Sequence, residues 1–151
     1  MKVFNNFKIT KKMLRQFICI IAKEHKVSRV SFNNQAKLIE GLYDFKKRSI
    51  FINNKQPKKR LLQVFFHELA HHESVLNGIW TDYHSGNMED ISPMFQFNIE
   101  NQIDKMANSL WNKYVNTKKW GQYKFSYPKS NKKYLTEWLM QYHKQTPTTN
   151  K

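Results

Sequence analysis

The chain has 151 residues, enough for one domain with a core of its own. Apolar residues make up 40% and aromatics 15%, a balance that argues against a disordered chain. Lys and Arg number 26 against 11 Asp and Glu, giving a formal charge of +15; this favours nucleic acid or acidic protein partners and is silent about fold.

The basic residues are mostly lysines, with arginine only at Arg15, Arg29, Arg48 and Arg60, and Asn, Ile, Phe and Tyr are plentiful. An AT-rich genome, as in many phages, would produce the same bias without a functional basic surface. Cys19 is the single cysteine, so no internal disulfide is available, and its neighbours Phe17, Ile18, Ile20 and Ile21 predict a buried thiol in a reducing compartment. The N-terminal stretch lacks an apolar signal region, and no run approaches the length a bilayer needs. The expectation is a soluble cytoplasmic protein without a membrane partner.

In chain order, TKKMLRQFICIIAKEH at 10–25 predicts a helix capped by Thr10, with Met13, Leu14, Phe17, Ile18 and Ile21 on one face. RVSF at 29–32 and SIFIN at 49–53 read as strands. GLYDF at 41–45 precedes the second of these, and the charged KKR between them suits a hairpin turn. Pro57 marks the entry to a long helix from about 58 to 77, and Gly78 supplies its stop. Residues 79–92 lack periodicity and read as a loop. After Pro93 a second long helix is expected over roughly 94–116, with Phe95, Ile99, Ile103, Met106, Leu110 and Tyr114 as its apolar stripe.

The segment at about 117–143 is basic and aromatic and ends in a short helix at 134–143; the tail 144–151 should fray. No repeat or boundary divides the chain. A single domain over 1–151 follows, with its core at about 10–116. Its class is α+β: a small antiparallel sheet packed on the histidine-bearing helix and on a second long helix.

The chemistry is concentrated in HELAHH. Residues four apart share a helical face, so His67 and His71 can aim two imidazoles at one metal ion. Glu68 lies about 100° around from His67, within reach of a water at that metal without being a ligand. The competing reading is a helix whose histidines are merely solvated or hydrogen-bonded. A third ligand separates the two, and Glu100, 29 residues past His71, is the first candidate. Asp104 follows one turn later, placed to accept the outer N–H of a ligating histidine. These are the only two acids between Ile91 and Thr136. His84, 13 residues past His71, is the rival ligand; its other expected role, shared with Tyr83, is to donate to an oxyanion. His72 is expected on the surface, and His25 and His143 as lone histidines.

With these residues in place, HELAHH followed by IENQIDKMANSLW resembles the ImmA/IrrE family of small zinc metallopeptidases. That family pairs H-E-x-x-H with a later helix patterned E-x-x-A-[ND]-x-F-A. Glu100, Asp104 and Ala107 match the second motif, while Ile103 and Met106 stand where the family carries alanine and phenylalanine. GLYDFKKRSIFIN resembles the hairpin before the family's zinc helix, so the resemblance spans about 41–111. It implies a zincin-like domain with zinc on His67, His71 and Glu100, Glu68 as general base and Asp104 behind a ligand. It further implies a protein substrate such as a repressor of a mobile element. A second resemblance, to SprT-like proteases acting on DNA-bound proteins, would use His84 as third ligand. The H-G-x-x-F that should follow that histidine is absent.

A different class stays open. Lysines at 118–134 interleaved with Trp120, Tyr123, Phe125, Tyr127 and Tyr134 would suit a nucleic-acid-binding module whose zinc is structural. The competing expectation is that these aromatics plug the core. A protein that titrates a regulator without cutting it is a third reading.

Overall fold

Thr10 caps the first helix, α1 (Lys11–Glu24), its Oγ1 accepting from the Met13 amide at 3.1 Å. Leu14, Ile18, Ile21 and Ala22 recur at helical spacing and form its buried face. The computed structural model describes residues 2–34, 40–79, 83–84 and 92–124. The helix expected at 134–143, His143, and the aromatics beyond Lys124 lie outside them. Cys19 sits one step around from Ile18, on the outer face of α1, and is exposed rather than buried. The apolar neighbours in sequence misled, because consecutive helical residues do not share a face.

Three strands follow: β1 (Arg29–Asn33), β2 (Gly41–Asp44) and β3 (Ser49–Asn53). The expected hairpin is present, β2 pairing antiparallel with β3. β1, however, pairs parallel with β3, in the order β1-β3-β2, so the sheet is mixed and not antiparallel throughout. β3 is therefore the central strand.

The long helix α2 (Lys58–Leu76) starts at Pro57 and ends in a Schellman turn. The Ile79 amide donates to the Ser74 carbonyl at 2.8 Å and the Gly78 amide to that of Val75 at 3.0 Å. Gly78 has φ +70°, and a Cβ there would meet nothing; conformation alone calls for glycine. Residues 61 to 72 of α2 are buried without a break. The sheet and α1 cover it, and α3 (Pro93–Tyr114), capped by Ser92, packs along it. Buried Ile99, Ile103, Ala107 and Trp111 face it from α3, whereas Phe95 is exposed.

One turn, α4 (Thr117–Trp120), brings Trp120 into the core beneath Phe4. Phe4 is itself clamped by its amide to the Tyr114 carbonyl and its carbonyl to the Asn116 amide. The fold is α+β, and among the described residues no helix is long and apolar enough to cross a membrane.

Candidate metal centre

His67 and His71 project from one face of α2 onto α3, where Glu100 stands between them. Glu100 Oε1 lies 3.1 Å from His67 Nε2 and 3.0 Å from His71 Nε2. All three side chains are buried, and their nearest ligand atoms lie within 4.8 Å of one another. Among the described residues this is the group of His, Cys, Asp and Glu able to hold a metal ion.

The outer contacts of the histidines decide which nitrogens face inward as lone pairs. His67 Nδ1 meets Asp104 Oδ1 at 2.9 Å. A carboxylate only accepts, so Nδ1 carries the hydrogen and the neutral ring turns the lone pair of Nε2 towards Glu100. His71 Nδ1 meets His84 Nε2 at 2.9 Å, and when His71 Nδ1 is the donor there, its Nε2 lone pair also points inward. Two imidazole lone pairs and a carboxylate then converge with no hydrogen between them. Such a set is satisfied either by a proton or by a cation, and two nitrogens with one oxygen suit zinc and its first-row neighbours. The residues present fit a bound metal.

Without metal the proton takes that place. Burial pulls His67 down, but its hydrogen bonds to Asp104 and Glu100 and the nearby Glu68 charge prevail and raise it to about 10. For Glu100, burial works upward and is overcome by the His71 and His67 charges and hydrogen bonds, so its carboxyl stays well below the usual range.

Glu68 is 1% exposed beside this group. Its Oε1 has no hydrogen-bond partner among the described residues. Burial pushes its carboxyl upward against the opposing pull of His67 and His71. Leaving a buried polar group unsatisfied costs on the order of 1–3 kcal/mol, more when charged, so its retention here calls for a reason other than packing.

Tyr83 and His84 arrive together from the segment between α2 and α3. Tyr83 donates to Glu100 Oε2 at 2.5 Å, while His84 meets the outer nitrogen of His71. His84 thus stands behind His71 and not at the point where the three ligand atoms meet. Each of the three candidate ligands has an outer partner: Asp104 for His67, His84 for His71 and Tyr83 for Glu100.

Two expectations about histidines are corrected. His72 is fully buried, between the Tyr43 hydroxyl and the His25 carbonyl, each at 2.8 Å, because α2 is covered on several sides at once. Burial holds its ring below the usual histidine range. His25 is not alone either: it pairs with Glu73 and meets the Tyr114 hydroxyl at 2.8 Å.

Sequence reasoning missed Gly41 and Tyr123. A Cβ on Gly41 would lie 2.3 Å from Val64 Cγ1 and 3.3 Å from Glu68 Oε2, so β2 passes Glu68 at glycine distance. A glycine inside a strand pattern was the available signal. Tyr123 donates to Asp104 Oδ1 at 2.8 Å, and its ring lies against Trp111. Trp120 is buried too, so among the described aromatics of the basic segment, these two serve the core rather than a stacking platform.

No family model, curated protein or solved structure matches this chain.

Proposed function

We propose that this protein is a zinc-dependent peptide hydrolase with Glu68 as its general base. The observation that carries the reading is the buried Glu68 Oε1, without a hydrogen-bond partner among the described residues, beside the His67–His71–Glu100 group. Zinc bound there would acidify a water and polarise the scissile carbonyl.

Glu68 would take a proton from a water held there as the water's oxygen bonds to the carbonyl carbon. It then delivers the proton to the amine as the carbon–nitrogen bond breaks. The upward push of burial on its carboxyl suits a group that must both accept and release a proton near neutrality. Among the chain's own donors, Tyr83 is better placed than His84 for the developing oxyanion. Its hydroxyl lies at Glu100 Oε2 and would have to turn its hydrogen from that oxygen to the oxyanion, whereas His84 reaches the outer side of His71.

β3 (Ser49–Asn53) is paired on both sides and cannot take up a substrate strand. The sheet's two edges are β1 and β2, and β2 is the one that passes Glu68, at Gly41, so a strand added there would lie beside the carboxylate. The resemblance to the ImmA/IrrE family favours a regulatory protein, such as a DNA-bound repressor, as substrate. A SprT-like site built on His84 is the weaker reading, since Glu100 and not His84 stands between His67 and His71.

Glu68→Gln tests the proposal. The variant should bind zinc with wild-type stoichiometry and lose hydrolysis of a casein or peptide-library substrate by about a hundredfold or more. Cleavage at the wild-type rate would end the protease reading.

A further inference from the structure

Asp104 Oδ1 receives two hydrogen bonds on a single oxygen. His67 Nδ1 donates from α2 at 2.9 Å, and the Tyr123 hydroxyl donates from the stretch after α4 at 2.8 Å. Asp104 is on α3, so one carboxylate oxygen joins three parts of the fold. Nothing in the helical pattern of α3 holds that carboxylate in place. Its side chain is short and 17% exposed, and an aspartate on a helix surface can turn towards water.

Tyr123 is itself firmly held. Gly121 has φ +86°, a left-handed bend that a non-glycine residue adopts only with strain. The bend leaves the Gly121 carbonyl accepting from Trp111 Nε1 at 3.0 Å. Two residues on, the Tyr123 ring lies 6.0 Å from that of Trp111, which is fully buried. The phenol therefore reaches Asp104 from a stiff aromatic ring packed on Trp111, two residues after the chain is anchored at Gly121.

We propose that Tyr123 is a positioning residue of the metal centre: it fixes the Asp104 carboxylate, which in turn fixes the ring plane and hydrogen of His67. The inference rests on His67, His71 and Glu100 holding a metal, and it does not depend on peptide hydrolysis. It also ties metal affinity to a part of the chain 52 residues from His71 in sequence. An imidazole ligand must point its lone pair within a narrow cone at the ion, and the N–H···O bond on its far side is what sets that direction. A carboxylate free to rotate releases the ring; one held by a second donor does not.

The test is zinc affinity by competition with a chromophoric chelator, in the full chain and in a double-mutant cycle. Tyr123→Phe keeps the ring against Trp111 and removes only the hydroxyl. It should weaken zinc binding about tenfold, the low end of what outer partners of metal ligands contribute. Asp104→Asn should weaken it at least as much. In the Asp104→Asn background, Tyr123→Phe should have no further effect, because the route from Tyr123 to the metal runs through that carboxylate.

Wild-type affinity in Tyr123→Phe, or two losses that simply multiply, would overturn the proposal. A purely structural role would give multiplying losses along with reduced stability of the metal-free chain. A second readout needs no metal: in histidine-labelled protein, exchange of the His67 Nδ1 hydrogen with water should be faster in Tyr123→Phe than in the wild type. Equal exchange rates would refute the link even if the wild-type chain bound no metal, an outcome that would separately remove the metal reading.

Discussion

Gly41 and Glu68 meet across the interface between sheet and helix, with no room for a side chain on the glycine. A Cβ there would lie 3.2 Å from Glu68 Cγ and 2.3 Å from Val64 Cγ1. Glycine at this strand position has nothing to do with backbone dihedrals, since its φ is not positive. What it provides is closeness: β2 comes down on α2 where the Glu68 carboxylate stands.

Gly41→Ala should therefore be destabilising, although alanine is the smallest possible change. Overpacking of this kind costs roughly 1–3 kcal/mol. Val64 is buried on a helix and is β-branched, so it cannot swing aside. Urea denaturation of the metal-free chain checks the cost, and adding Val64→Ala should recover a good part of it. A single variant as stable as the wild type would show that β2 can lift away from the helix.

Loading the site with metal should expel a proton well above neutral pH. His67 is raised from 6.5 to about 10 in the metal-free chain. A histidine raised in the fold stabilises it fully below about 6.5, and that contribution fades as pH climbs through about 10. Between those limits the folded, metal-free ring carries a proton that the metal must displace. At pH 8, the heat of zinc binding should differ between phosphate and Tris by about one proton's worth of buffer ionisation. Identical heats in the two buffers would mean that the ring is already neutral.

Glu100→Ala and His84→Ala should separate ligand from outer partner. Removing Glu100 takes away an oxygen within 3.1 Å of both inward nitrogens and should abolish tight zinc binding. Removing His84 frees only the outer side of His71 and should weaken binding by about ten- to a hundredfold. Chelator competition reads both. Complete loss in His84→Ala with retention in Glu100→Ala would restore the SprT-like arrangement.

Much of the site could be read from spacing because each half of it lies on a single helix. Four residues make one turn, so His67 with His71, and Glu100 with Asp104, were bound to share a face as soon as each stretch became helical. The caps at Thr10 and Ser92 and the stop at Gly78 likewise act over three to five residues, and the hairpin from β2 to β3 is as local.

What spacing within an element cannot encode is which other element lies against it. His72 looked like a surface residue because it turns away from His71; the sheet and the end of α1 bury it on that side, against Tyr43 and His25. Cys19 looked buried because its neighbours in sequence are apolar, yet α1 presents only one face to the core. The parallel pairing of β1, the approach of Gly41 to Glu68, the place of His84 behind His71 and the hydroxyl of Tyr123 on Asp104 are all contacts between distant parts of the chain. The sequence by itself determined the helices and the faces on which the candidate metal-binding side chains stand. Only tertiary packing decided what surrounds those side chains, because burial and hydrogen bonding depend on the neighbour that arrives from elsewhere in the chain.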